Sequence, residues 1–278
     1  MSGAGSLFRN APQVTLLRAS AQRRRFLVFV RAGGGGNSPV APALLAAPRD
    51  FDLAVSYYAE PAAADPMLPQ AEILLGGGLS KFHAAKGLFQ AWPAAAGYEA
   101  VLFADEDVTL RFNPAAFFGF FLQEGLALAQ PSLSQDSFSN FRLLLHNPSF
   151  IYRTTNFVEV MAPCFARGFL AVAWPRFDRS ISTWGLDVLW AAMLGPGREA
   201  AVLDCFQMQH AKPMDPNGAF YRYLAGMGVD CYAELRSIMD ELGIPQHKLT
   251  QGRLVCLVET LLRPPPDPRP GQGQAGAG

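Results

Sequence analysis

"VLFADEDVTL", residues 101–110, sets four mostly apolar residues directly ahead of three consecutive acids, Asp105, Glu106 and Asp107. Such a run reads as a buried strand. A buried strand that ends in this much negative charge needs something to balance it. Working outward, "FLVFVR" (Phe26 to Arg31), "FDLAVSYY" (Phe51 to Tyr58) and "AEILLGGG" read as three earlier strands. "SKFHAAKGLFQAW" reads as a helix with Ser80 as N-cap, and Asn113–Pro114 opens another. Strands alternating with helices predict an α/β fold, a doubly wound mixed sheet flanked by helices. Ligands bind such sheets beyond the carboxyl ends of the strands. The glycine loop at 33–36 and the acids at 105–107 both fall there.

The second half is more mixed. "FIYRTTNFVEVMAPCFARGFLAVAW" reads as one or two strands and a helix, "STWGLDVLWAAML" as a helix, and "AAVLDCFQMQH" as a strand. "GAFYRYLAGMG", "AELRSIMDELG" and "QHKLTQGRLVCLVETLLR" predict a helical C-terminal region. The expected division is a loosely ordered leader over 1–23, one domain over 24–263 with halves 24–112 and 113–263, and a disordered Pro/Gly tail over 264–278. The chain has 278 residues and zero formal net charge, with no basic stripe, so nucleic acid is not expected as a partner. The cysteines, Cys164, Cys205, Cys231 and Cys256, form no Cys-x-x-Cys and read as buried reduced thiols. No window approaches the roughly 20 apolar residues of a membrane helix. The expectation is a cytoplasmic protein, with peripheral membrane contact through residues 6–25 as the alternative.

Two chemistries place Asp-x-Asp after an apolar strand. In haloacid-dehalogenase-like phosphatases the first Asp is a nucleophile, which would be Asp105, with Asp107 as acid/base. That chemistry asks for a later lysine and a later acid pair; Lys212 and Lys248 are the only downstream lysines, and no such pair follows. In metal-dependent glycosyltransferases the acids hold a divalent ion against a nucleotide-sugar diphosphate, because a hard ion takes carboxylate and phosphate oxygens together. A solvated turn is the ordinary alternative.

"GLSKFHAAKGLFQAWPAAAGYEAVLFADEDVTL" resembles the donor half of GT-A glycosyltransferases, in which a Gly-x-Ser helix leads to a strand ending Asp-x-Asp. The ordered pieces "FLVFVRAG", "VLFADEDVTL", "GLALAQPSLSQDS", "WGLD" and "VLDCFQMQH" resemble the domain-of-unknown-function family 707. The resemblance implies a GT-A-like fold with 24–112 as the nucleotide-sugar half. It implies a hexosyl-type transfer, inverting by preference, from a nucleoside diphosphate sugar donor to a carbohydrate or other hydroxyl acceptor. It also implies Mn²⁺ or Mg²⁺ on Asp107 and His210, with Asp105 on that ion or on the donor's ribose, and Asp187 as general base. The chain departs from the pattern where His83-Ala84-Ala85-Lys86 replaces an Arg-Asn in the helix before the motif. A protein of the same fold that binds sugar or nucleotide without turnover is the rival reading.

Further candidates lie around this core set. Glu106 is expected to point away as the middle acid. Arg31 at a strand exit could pair with phosphate, and Asp52 and Tyr57 could hold or stack the base. Lys86 or Lys81 could reach the diphosphate, a solvated helix face being the alternative. Trp184 and Trp190 are candidates for a sugar-stacking wall. Gln130, Ser132, Ser134, Gln135 and Asp136 suit sugar hydroxyls. Arg153, Asn156 and Glu159 are candidates for reading the acceptor, with plain strand-end hydrogen bonding as the alternative.

Overall fold

The computed structural model describes residues 7–46, 48–195, 200–215 and 217–245, and the backbone of 251–256. Among the described residues eleven strands form one mixed sheet: β1 (Ala11–Arg18), β2 (Phe26–Ala32), β3 (Phe51–Tyr57), β4 (Ile73–Gly78), β5 (Ala100–Asp105), β6 (Val108–Leu110), β7 (Leu128–Leu133), β8 (Phe150–Thr155), β9 (Cys164–Ala166), β10 (Ala200–His210) and β11 (Gln251–Cys256). Its order is β1-β4-β3-β2-β5-β9-β7-β10-β8-β11, and β6 pairs with β10. Strands β4, β3, β2 and β5 are all parallel. The chain steps outward from β2 to β3 to β4, then returns to lay β5 on the other side of β2. That reversal is a topological switch point, where a crevice opens beyond the strand ends.

The helices are α1 (Ala41–Leu45), α2 (Met67–Gln70), α3 (Lys81–Ala91), α4 (Pro114–Gln123), α5 (Arg167–Ala173), α6 (Leu186–Met193), α7 (Ala219–Gly226) and α8 (Cys231–Glu241). Alternation along β2 decides which layer each covers. Phe26, Val28 and Val30 join a core with α1, α2 and α4, where Phe26 stacks on Phe118 at 4.6 Å. Leu27 and Phe29 join a second core on the opposite face, with α3, α5 and α6. Each such ring buried contributes roughly 1.5–3 kcal/mol. Asn113 caps α4 as its sequence predicts, accepting from Ala115 N at 2.8 Å. Ser80 precedes α3 without a side-chain cap bond.

Three expectations change. The leader over 1–23 is not loose throughout, because β1 pairs antiparallel with β4. Its docking depends on the glycine run at 76–78, where the backbone of β1 lies too close for any side chain: a Cβ on Gly77 would stand 1.9 Å from Gln13 O. The helix expected at the C-terminal end is a strand over 251–256, drawn onto the open edge of β8. Cys205 is exposed and Cys231 partly so, and only Cys164 is buried among the described cysteines. The proposed tail over 264–278 lies outside the described residues. No helix among them is long and apolar enough to cross a membrane.

Gly77 has φ +81°, where a side chain is strained even in open space. Gly77→Ala is expected to cost more than about 2 kcal/mol and to lower Tm by roughly 5 °C or more. Gly119→Ala, in α4 with open space around it, is expected to be neutral or slightly stabilising. Thermal denaturation followed by circular dichroism reads both.

Candidate active site at the strand ends

Asp105, Glu106 and Asp107 leave the tip of β5 in three directions, and each meets a different element. Lys81, in the first turn of α3, donates from Nζ to Asp105 Oδ1 at 2.6 Å, Val160 O at 2.7 Å and Met161 O at 3.0 Å. All three ammonium protons are thereby used, and the side chain is only 6% exposed. Glu106 turns to the loop after β2, away from the partners of Asp105 and Asp107. It accepts from Gly33 N at 2.9 Å, Ser38 Oγ at 3.2 Å and Tyr58 Oη at 2.6 Å, fixing the glycine loop after β2. Asp107 Oδ2 faces His210 Nε2 at 3.7 Å, an ion-pair separation.

His210 arrives there through strand pairing. Antiparallel pairing of β10 with β6 sets His210 opposite Val108. Its Nδ1 lies 3.3 Å from Phe138 O and its backbone N donates to Ser137 Oγ at 3.2 Å. With the Nδ1 proton on that carbonyl, Nε2 is left facing Asp107. The Asp107 carboxylate pushes His210 above the usual imidazole range. Burial raises the Asp107 carboxyl, but the His210 contact outweighs it, leaving a net lowering. Asp105 lies in a recess, crowded by protein while 40% of its side-chain surface still meets solvent. Desolvation there raises its carboxyl against the opposing pull of Lys81.

Asp187 acts electrostatically on Glu159, and Glu159 feels Asp105, His210 and Lys81. The chain turns into α6 through Thr183 and Gly185, both at positive φ, which sets Asp187 in the first helical turn. Burial pushes the Asp187 carboxyl up to about 6, although Oδ1 accepts from Val188 N at 2.8 Å. Burial also pushes Glu159 up to about 7, with further lift from Asp187 and Asp105 and opposing pull from His210 and Lys81. Glu159 Oε2 is buried without a hydrogen-bond partner. Its backbone N donates to Gln130 Oε1 at 2.6 Å, and Lys81 holds the next carbonyl along. Asp105, Asp107, His210 and Lys81 thus act on one another electrostatically, and Glu159 feels Asp105, His210 and Lys81 together with Asp187.

Other candidates are engaged elsewhere. Arg31 is buried and donates to Ser56 Oγ, Gly77 O, Gly78 O and Asn10 Oδ1, so phosphate pairing is replaced by a structural tie. Desolvation lowers it to about 10. Asp52 sits near the amino end of β3, bound by Arg24 and Tyr98 Oη, away from the crevice. Tyr57 is fully buried with Phe8 edge-on at 5.7 Å, leaving no face for a base. Lys86 pairs with Asp178 at 2.7 Å and Pro175 O at 2.8 Å, while Lys81 is held on Asp105 and two carbonyls, so both candidate lysines are engaged within the protein. Trp190 is a core residue against Phe82 and Phe165, each at 4.9 Å. Arg153 forms a buried bidentate pair with Asp204 at 2.7 and 3.0 Å. Within the polar cluster Asp136 is held by Arg111 and Gln209, and Gln135 by His146 O.

Among the described residues no three His, Cys, Asp or Glu side chains are set to hold a metal ion. Asp107 and His210 do offer an oxygen and an imidazole nitrogen side by side. Such a pair suits an ion that completes its shell from phosphate oxygens, as Mg²⁺ commonly does, rather than an all-protein cage. Asp105 has one oxygen on Lys81 and one remaining.

No family model matches the chain, and no curated protein matches it. Among solved structures it is similar to A197 from STIV, with 12% identity, 67% of this chain and 85% of that chain covered, and TM-score 0.39. It is similar to S. aureus TarS 1–349, with 13% identity, 78% and 72% covered, and TM-score 0.43. For S. aureus TarS 1–349 in complex with UDP the figures are 13%, 78%, 71% and 0.41. At these values the likeness carries no functional weight, and the fold stands on this chain's own sheet.

A carboxyl raised in the folded state is more proton-bound there than when unfolded. Its stabilising share is complete below the unfolded value and is lost as pH rises through the folded one. For Glu159 that window runs from the ordinary glutamate value of 4.5 to about 7. Glu159→Gln is therefore expected to raise Tm by about 2–4 °C at pH 7.5 and little at pH 4.5. Differential scanning calorimetry across that range is the check; equal gains at both pH values would count against it.

Proposed function

We propose that the chain is a glycosyltransferase that moves a sugar from a nucleoside diphosphate donor to an acceptor hydroxyl. One observation carries this reading: Asp107 and His210 meet at 3.7 Å at the strand ends of the switch point, and Glu159 feels the charges of His210, Asp105 and Asp187. The glycine loop anchored by Glu106 offers backbone for close approach of the nucleotide. Mn²⁺ or Mg²⁺ on Asp107 and His210, beside the remaining oxygen of Asp105, would supply counter-charge for the departing diphosphate. Asp187 takes the proton of the acceptor hydroxyl as that oxygen attacks the anomeric carbon. The bond from that carbon to the diphosphate breaks, and its electron pair leaves with the diphosphate. One direct displacement inverts the anomeric centre. A carboxyl near 6 is mostly ionised at neutral pH, yet more basic than an ordinary aspartate.

The Lys81 contact, which occupies one Asp105 oxygen, favours the rival reading of a binding protein without turnover. Nucleotide release from UDP- and GDP-sugars with Mn²⁺ separates the two. Turnover is expected, with loss in excess chelator and a rise as pH passes about 6. Asp187→Asn is expected to lower it by about 10²–10⁴-fold with Tm kept or raised, since the amide removes a burial-raised carboxyl. A donor that raises Tm without any release supports the binding protein. Phosphate trapped covalently on Asp105 would point to the phosphatase chemistry.

A further inference from the structure

Tyr58, the residue after β3, touches the glycine loop beside the acids, and the transfer chemistry gives it no role. Its Oη donates to Glu106 Oε1 at 2.6 Å, while Gly33 N donates to Oε2 of the same carboxylate at 2.9 Å. Glu106 therefore ties the phenol to the loop. The loop also lies directly against the ring: a Cβ on Gly33 would stand 2.7 Å from Tyr58 Oη and 3.0 Å from its Cζ. Further along, Ala62 N donates to Gly34 O at 2.7 Å, so the loop takes its course from residues 58–62. Burial and the Glu106 carboxylate raise the phenol, which stays a donor at neutral pH. The Arg31 guanidinium lies 5.7 Å from the centroid of the Tyr58 ring, within reach of a cation–π contact. Arg31 in turn donates to Asn10 Oδ1 at 2.6 Å, on the segment ahead of β1. Phe8, edge-on to Tyr57 at 5.7 Å, seats that segment.

We propose that Tyr58 is a positioning residue for the nucleotide: it fixes Glu106, and through Glu106 the glycine loop, while Asn10 holds Tyr58 in place through Arg31. Each link, from Asn10 to Arg31, Tyr58, Glu106 and Gly33, is a direct contact. The loop needs such a hold because Gly33 to Gly36 are four glycines in a row. Glycine loses more conformational freedom on ordering than any other residue. A loop already shaped by the fold avoids that loss when a ligand arrives, and affinity rises accordingly. Tyr58 acts on the loop and not on the reacting atoms. Its hydroxyl therefore governs capture of the nucleotide more than the transfer step. The segment ahead of β1 becomes a remote part of the same site.

That the loop meets a nucleotide rests on the glycosyltransferase reading; the hold on the loop does not. Two measurements on the full chain keep them apart. One is hydrogen exchange of the Gly33 amide by NMR. The other is titration calorimetry with UDP and GDP in Mn²⁺, with donor KM and kcat alongside. Tyr58→Phe keeps the ring and removes only the hydroxyl that Glu106 accepts from. It is expected to speed Gly33 exchange, weaken nucleotide binding and raise donor KM, each at least fivefold, with kcat changed less than twofold. Asn10→Ala is expected to shift the same quantities at least twofold, and Asn10→Asp, which keeps the acceptor oxygen, to restore them. Thermal denaturation checks that each variant folds. Turnover by the parent with Gly33 exchange unchanged in Tyr58→Phe overturns the proposal and leaves the transferase reading standing. Faster exchange with unchanged affinity overturns the nucleotide role, as does a loss confined to kcat. If the parent binds neither nucleotide, the transferase reading and the nucleotide role fall together, and the exchange still decides the hold.

Discussion

Three adjacent carboxylates at the tip of a central strand are the constraint around which the crevice is arranged. Two unit charges about 4 Å apart repel by roughly 4 kcal/mol where the effective dielectric constant is about 20. The chain relieves this by sending each acid to a separate partner. Asp105 goes to the ammonium of α3, Glu106 to the loop after β2, and Asp107 to the imidazole at the end of β10. These partners come from both halves of the sequence, so balancing the charge also draws the walls of the crevice together. The same bonds serve as scaffold and as site.

Much of this was legible because it is periodic or punctuated. The apolar runs of β2, β3 and β5 and the Asn113–Pro114 start of α4 carry local signals that the fold obeys. His210 was legible as the end of a strand, although its partner strand, three residues long, was not. What separates Lys86 from Lys81 is helical phase. Five residues at 100° each put the two side chains about 140° apart, so one faces the acids and the other faces Asp178. Glu159 lies on the irregular connection between β8 and β9, where no period says which way a side chain points. Its importance comes from burial, which only the fold supplies.

The edges were misread for a related reason. Strand β1 is half-exposed and lacks a strong alternating pattern, so nothing local distinguishes it from a loose leader. What fixes it is the glycine run of the neighbouring strand, read in the sequence only as the end of β4. Arg31 follows from the same error. At the exit of β2 it looked available to a phosphate, but Asn10 and the carbonyls of Gly77 and Gly78 take up its donors once the N-terminal segment docks.

The threefold engagement of Lys81 has one more consequence. With every proton on a protein acceptor, the ammonium has none to offer an arriving anion except by giving up Asp105, Val160 or Met161. It acts instead as a fixed monopole whose field is already aligned before anything enters. A lysine on a free stem would have to swing into place and shed water, and that reorganisation would raise the barrier; here the polarisation is built in when the chain folds.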